Sequence, residues 1–186
     1  MGEQNGTHIV RGVVAGVAGG LVASWIMNVF MEQAGPKLTE AVESVSGDKP
    51  EPAPAAANQA PAQDQEPKQD ATMKAADAIV STVTGGRHLS FEERQKGGPV
   101  VHYAFGALMG GLYGAVAEYA PSARTGFGTG FGSALFAGAD LVAVPALHLS
   151  GSPSDAPVSA LATPFAAHLV YGAITEGMRR LVRAML

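Results

Sequence analysis

GFGTGFGSALFAGADLVAVPALHL (residues 126–149) and VSALATPFAAHLVYGAITEGM (residues 158–178) are two glycine-rich apolar runs joined by a short polar turn. A helix crosses a bilayer with about 20 mostly apolar residues, and each run meets that length. Each also carries ionisable side chains, Asp140 in the first and His168 and Glu176 in the second. A charge at bilayer depth is costly and faces a partner or a water-filled pocket rather than lipid. The two runs therefore read as membrane helices with a polar interior, and any chemistry lies there.

Working outward, residues 9–31 and 100–120 have the same apolar length, so the expected fold is all-α. It is a polytopic bundle of four transmembrane helices, at about 9–31, 100–120, 126–149 and 158–178, forming one membrane domain over residues 1–186. The first run reads as a retained helix rather than a cleaved signal. It is long, only Arg11 precedes it as a basic residue, and no clear small-residue cleavage site follows. Mean hydropathy is only +0.15 because a polar loop, residues 32–98, dilutes the apolar blocks. Within it, residues 48–70 are rich in Pro, Ala, Gln and Glu and bury too little apolar surface to order, so that insert is expected to be disordered. Short helical patterns flank it. Leu38, Val42 and Val45 recur at helical spacing after Gly35-Pro36, as do Met73, Ala76, Val80 and Val83 before Gly85-Gly86. Ser90 followed by Glu93 is a capping box that opens one more short helix. Such amphipathic pieces rest on the interface or on the bundle.

Composition excludes several function classes. The net charge is −4, with no basic surface and no nucleic-acid motif. The chain has no cysteine, which removes disulfides, thiolate metal sites, iron–sulfur clusters and cysteine nucleophiles together. No HExxH, serine elbow or phosphate-binding loop is present, and the Gly126-Phe127-Gly128-Thr129-Gly130 run lacks the preceding strand and following lysine of such a loop. No enzyme, cofactor or metal is expected.

Glycine recurs every fourth residue at Gly12, Gly16 and Gly20, at Gly106, Gly110 and Gly114, and at Gly126 and Gly130, continued by Ala134 and Gly138. Small residues four apart let helix backbones approach closely, which is how packing is gained inside lipid. These faces serve packing within the chain, or association into a homo-oligomer or a larger membrane complex.

Asp140 lies about nine residues before the end of the third run and His168 about eleven after the start of the fourth, so their depths differ by only about 3 Å. Adjacent antiparallel helices would pair them, either as a lock between helices or as a proton-transfer pair. Glu176 with Arg179 and Arg180 is an ordinary helical charge arrangement at the inner boundary, within reach of Glu118. His102 and His148 fall near the outer boundary, where two histidines could sense acid or hold a metal, although no ligand spacing supports a metal. Tyr103, Tyr113, Tyr119, Tyr171 and Trp25 read as interface and packing residues. Arg11, Arg124, Arg179, Arg180 and Arg183 share one side of a four-span chain, so the positive-inside rule puts both termini in the cytoplasm and the long loop outside.

The second half has a further signature. HYAFGALMGGLYGAVAEYAP (102–121), residues 126–153 and ATPFAAHLVYGAITEGMRR (162–180) resemble the YagU-like family of small bacterial inner-membrane proteins. The residues that carry the resemblance are His102, Glu118 with Pro121, Pro145, His168, Glu176, Arg179 and Arg180, with a weaker match at Glu32 and Pro36. It implies a multi-pass protein of the bacterial inner membrane, self-associating, with a contribution to acid tolerance. Two departures stand out: the Pro/Ala/Gln-rich insert, and Asp140 where the family pattern leads one to expect a histidine. The expected function is a small inner-membrane protein of acid or envelope-stress tolerance acting through proton or small-solute movement. The alternative is a structural or accessory subunit of a larger complex.

Overall fold

The computed structural model describes residues 2–47 and 69–186. The insert expected to be disordered lies outside the described residues except for Gln69 and Asp70. Asp70 caps the helix that follows, its side chain accepting from the Met73 backbone N–H at 2.8 Å. In order, the elements are α1 (Gly2–Gln33), α2 (Gly35–Ser46), α3 (Ala71–Thr84) and α4 (Phe91–Tyr119), then a 3-10 turn (Pro121–Gly128) and α5 (Thr129–Gly138). A π-helical turn (Ala139–Ala143), α6 (Val144–Ala146), a second 3-10 turn (Pro153–Asp155) and α7 (Val158–Met185) complete them. The protein is all-helical among the described residues, and four stretches are long and apolar enough to cross a membrane: Gly6–Gln33, Phe91–Tyr119, Pro121–Ala146 and Val158–Met185.

The interior is built of small residues and the exterior of large ones. Ala15, Ala23, Ala117 and Ala167 are buried, while Trp25, Val14, Leu108, Leu112 and Leu181 face outward. That inversion suits a hydrocarbon solvent, where burying leucine gains little and close backbone contact gains dispersion. The antiparallel pair α1–α4 shows it directly. A side chain on Gly12, Gly16 or Gly20 would strike the backbone carbonyl of Gly114, Gly110 or Gly106, and each of those three in turn faces α1. On its other side α1 meets α7, where a Cβ on Gly19 would stand 2.7 Å from the Thr175 carbonyl oxygen.

The third span packs differently from its glycine spacing. Gly126 has φ +62° and lies in the 3-10 turn, Gly130 touches only Thr125, and Gly138 meets nothing within 4 Å. Helix α5 begins only at Thr129, so the contact face starts two residues out of the expected register. Gly128 and Gly132 make it, against the carbonyls of Gly172 and His168 on α7. The expected run 126–149 is therefore a turn, a helix and a π-turn, with Gly128, at φ +87°, letting the chain enter beside α7.

Ser90 and Glu93 form the expected capping box, but it opens α4 itself rather than a separate short helix. Pro99 lies within α4 and does not end it. The two flanking helices rest on the bundle. Helix α2 reaches α7 through a Thr39–Thr163 hydroxyl bond of 2.9 Å, and Met73 and Ala76 of α3 are buried against Gly97 and Gly98.

The α3–α4 hairpin is latched by Asp77. Its carboxylate accepts from the Leu89 N–H at 2.6 Å and stands 2.9 Å from His88 Nδ1 and 3.4 Å from Arg94. The His88 contact first, then the Leu89 hydrogen bond, hold the Asp77 carboxyl below its ordinary value. A carboxyl depressed in the folded state stabilises it above the unfolded carboxylate pKa, and that stability is lost as pH falls through the folded value. Hydrogen exchange along α3, corrected for intrinsic rates, is therefore expected to be flat at neutral pH and to quicken once acid passes below the usual aspartate range. Asp77→Asn should give fast exchange at every pH.

Candidate functional site

The π-turn positions the first group. Pro145 lacks an N–H and its ring crowds the carbonyl four residues earlier, so an α-helical register cannot run smoothly into it. The backbone widens before it, and the Val144 N–H bonds the Ala139 carbonyl five residues back. Such a one-turn widening often marks a functional position, and here it carries Asp140. The second group comes from α7, where His168 Nδ1 donates to the Pro164 carbonyl at 2.9 Å. That bond fixes the ring, and Nε2 then points at Asp140 Oδ2, 3.3 Å away.

This geometry has a consequence for protons. With Nδ1 carrying a hydrogen toward Pro164, a neutral ring presents a bare lone pair at Nε2. A lone pair facing a carboxylate at this distance is repulsive. A direct hydrogen bond between the two therefore requires one further proton, at Nε2 or on the carboxyl.

Two cavities meet at Asp140. An inner one of about 190 Å³ is bounded by α1, α4, the third span, α7 and the start of α3, and is lined among others by Ser24, His102, Asp140, His168 and Tyr171. An outer one of about 490 Å³ opens beneath the loop Ser150, Gly151, Ser152 and Pro153, and its lining also includes Asp140. Ser24 Oγ and His102 Nε2 are buried without a hydrogen-bond partner among the described residues, and both belong to residues that line the inner cavity. Buried polar atoms of this kind are satisfied by water or a small polar solute. The Tyr171 hydroxyl, in contrast, donates to the Gly106 carbonyl at 2.6 Å, and Phe136 covers one side of the His168 ring.

The two histidines expected at the outer boundary are not brought together. His102 joins the interior cluster because α4 begins at Phe91, well outside it, and carries His102 down to the level of Ser24. His148 sits on a left-handed turn after α6, exposed and outside both cavities. Among the described residues no group of three His, Asp or Glu side chains is arranged to hold a metal ion.

At the opposite end lies a second polar cluster. Glu176 is completely buried between α4 and α7. It accepts from the Tyr113 hydroxyl at 2.8 Å, from Arg179 Nε at 2.8 Å and from Arg180 Nε at 2.6 Å. Glu118 accepts from Arg183 Nε at 3.1 Å and stands 3.4 Å from Arg179 Nη1. Sequence spacing indicated the arginines, but not Tyr113, whose ring stacks on Phe131 of α5 at 4.5 Å while its hydroxyl reaches Glu176 on α7. Its role follows from the distance between α4 and α7 in space, which the sequence does not carry.

Fold and interior together define a four-span helical membrane protein with a carboxylate–imidazole pair, Asp140 and His168, facing each other between its helices. The chain belongs to a family of proteins of unknown function (DUF1440), whose model matches residues 57–177. The match begins inside the Pro/Ala/Gln-rich insert and takes in His102, Glu118, Asp140, His168 and Glu176, while α1 and α2 lie before it. No curated protein and no solved structure matches the chain.

Proposed function

We propose that the protein moves protons, or a small protonatable solute, between the outer face of a bacterial inner membrane and its own interior, contributing to acid or envelope-stress tolerance. The observation that carries this reading is the position of Asp140, which lines both the outer cavity and the inner one and faces His168 at 3.3 Å. A group so placed exchanges its proton with one side and passes it to the other. His102 and Ser24, with unpartnered atoms in the inner cavity, extend the route inward. The positive-inside rule puts the arginine end in the cytoplasm, so the mouth under residues 150–153 faces outward. The sequence resemblance to YagU-like proteins supports the link to acid tolerance.

The test is proton entry into proteoliposomes with a trapped pH dye, after an external acid step. Wild-type protein should acidify the lumen, and Asp140→Asn should reduce entry to the level of protein-free liposomes. Equal rates for wild type, Asp140→Asn and empty liposomes would remove the reading. The accessory-subunit alternative rests on glycine faces as docking surfaces; those of α1 and α4 are occupied within the chain, while Gly138 on the third span meets nothing within 4 Å. Mass analysis in nanodiscs drawn from native membrane separates the two: recovery in a larger assembly of fixed stoichiometry favours the subunit.

A further inference from the structure

We infer that the arginine end of the bundle carries a binding site for a phosphate group. A cavity of about 340 Å³ opens there between the end of α4, the 3-10 turn and α7, lined by Arg124, Arg179, Arg180, Arg183 and Glu118. The charges do not balance. Four guanidinium groups face two carboxylates, Glu118 and the Glu176 beneath it, which leaves an excess of two positive charges.

The hydrogen bonds show where the excess resides. Arg179 is committed, with Nε and Nη2 on Glu176 and Nη1 toward Glu118. Arg183 gives Nε to Glu118 and Nη2 to His8. Arg180 gives only Nε to Glu176, and its guanidinium lies over the Phe127 ring at 4.7 Å, which holds it at the cavity wall. Arg124 enters from the other wall, and its buried Nε has no hydrogen-bond partner among the described residues. A buried unpaired guanidinium N–H is costly unless an acceptor meets it. The remaining donors of Arg124 and Arg180 thus flank one cavity from two sides. Planar forks opposed in this way match a tetrahedral oxyanion, which accepts charge-assisted bonds from both. Basic pockets between helices at a membrane face take phosphate head groups on the same principle.

The source is either an anionic lipid head group or a soluble phosphate, and one experiment separates them. Full-length protein is placed in phosphatidylcholine nanodiscs with and without phosphatidylglycerol, and bound lipid is counted by native mass spectrometry, with inorganic phosphate added in a second arm. Arg124→Gln and Arg180→Gln are compared with wild type and with Lys96→Gln, which removes one exposed positive charge at the other end. Arg124→Gln breaks no ion pair, so its fold should survive, and Trp25 fluorescence checks this. Phosphatidylglycerol retained by wild type and Lys96→Gln but roughly five-fold more weakly by the arginine variants identifies a lipid site. Loss of that lipid on adding inorganic phosphate, or phosphate binding in phosphatidylcholine alone, identifies a soluble ligand at the same site. Equal retention by all four proteins, or no retention of either probe by wild type, overturns the inference.

Discussion

Gly110→Val should separate α1 from α4 and leave the protein unable to hold its four-span bundle. The Cβ added at Gly110 would meet the Gly16 carbonyl oxygen and stand 2.8 Å from Gly20 Cα and 2.9 Å from Gly20 N. All three obstacles are backbone, so no side chain can rotate away. Overpacking a core costs about 1–3 kcal/mol where neighbours can shift, and here they cannot, so the effect should reach at least the top of that range. Gly138→Ala is the matched control, because open space surrounds that position and alanine favours a helix by about 0.5–1 kcal/mol. Trp25, the only tryptophan of the chain, reports on α1. Its thermal unfolding in lipid nanodiscs should move sharply down for Gly110→Val and stay level or rise for Gly138→Ala. A Gly110→Val protein that unfolds like wild type would mean that the helices do not pack through these glycines.

The second large effect is expected at Glu176. Methionine there removes the acceptor of four hydrogen bonds at once and leaves Arg179, only 4% exposed, with a charge answered by Glu118 alone. Breaking one partner out of a buried ion pair costs about 3–5 kcal/mol, because the uncompensated charge remains. Replacing both partners with apolar side chains of similar size often costs little. Glu176→Met should therefore be strongly destabilising, and Glu176→Met with Arg179→Met should recover most of the loss. If the double variant were worse than the sum of the two single ones, the cluster would be holding α4 to α7 through more than charge compensation. Measured in the same nanodiscs, the pair of results separates a buried network from a surface one, whose loss would scarcely be seen.

Much of the architecture was legible because membrane helices announce themselves by length. The pairing of Asp140 with His168 also followed from arithmetic, since two antiparallel helices sharing one turn bring equal depths together. What the pattern missed came from local backbone departures. Pro145 widens the helix at Asp140, and the kink before Thr129 shifts the packing face from Gly126, Gly130 and Gly138 to Gly128 and Gly132. Neither departure changes hydropathy, so periodicity alone carries no trace of it. The capping box at Ser90 is visible in the sequence, but the helix it opens does not stop short: α4 runs on through Pro99 up to Tyr119. The arginine contacts of Glu176 follow from helical spacing, whereas Tyr113 comes from a different helix and leaves no mark in that spacing.

At the centre stands Asp140, which faces His168 at 3.3 Å, lines the outer cavity and takes up a proton from the outer face on acidification. Infrared difference spectroscopy of the protein in lipid, recorded against stepwise acidification, tests that uptake most directly. A carboxyl stretching band should appear on acidification, be absent in Asp140→Asn, and move its midpoint in His168→Gln. A carboxyl spectrum identical in wild type and Asp140→Asn at every pH would contradict it, and would leave the pair as a lock between α7 and the third span.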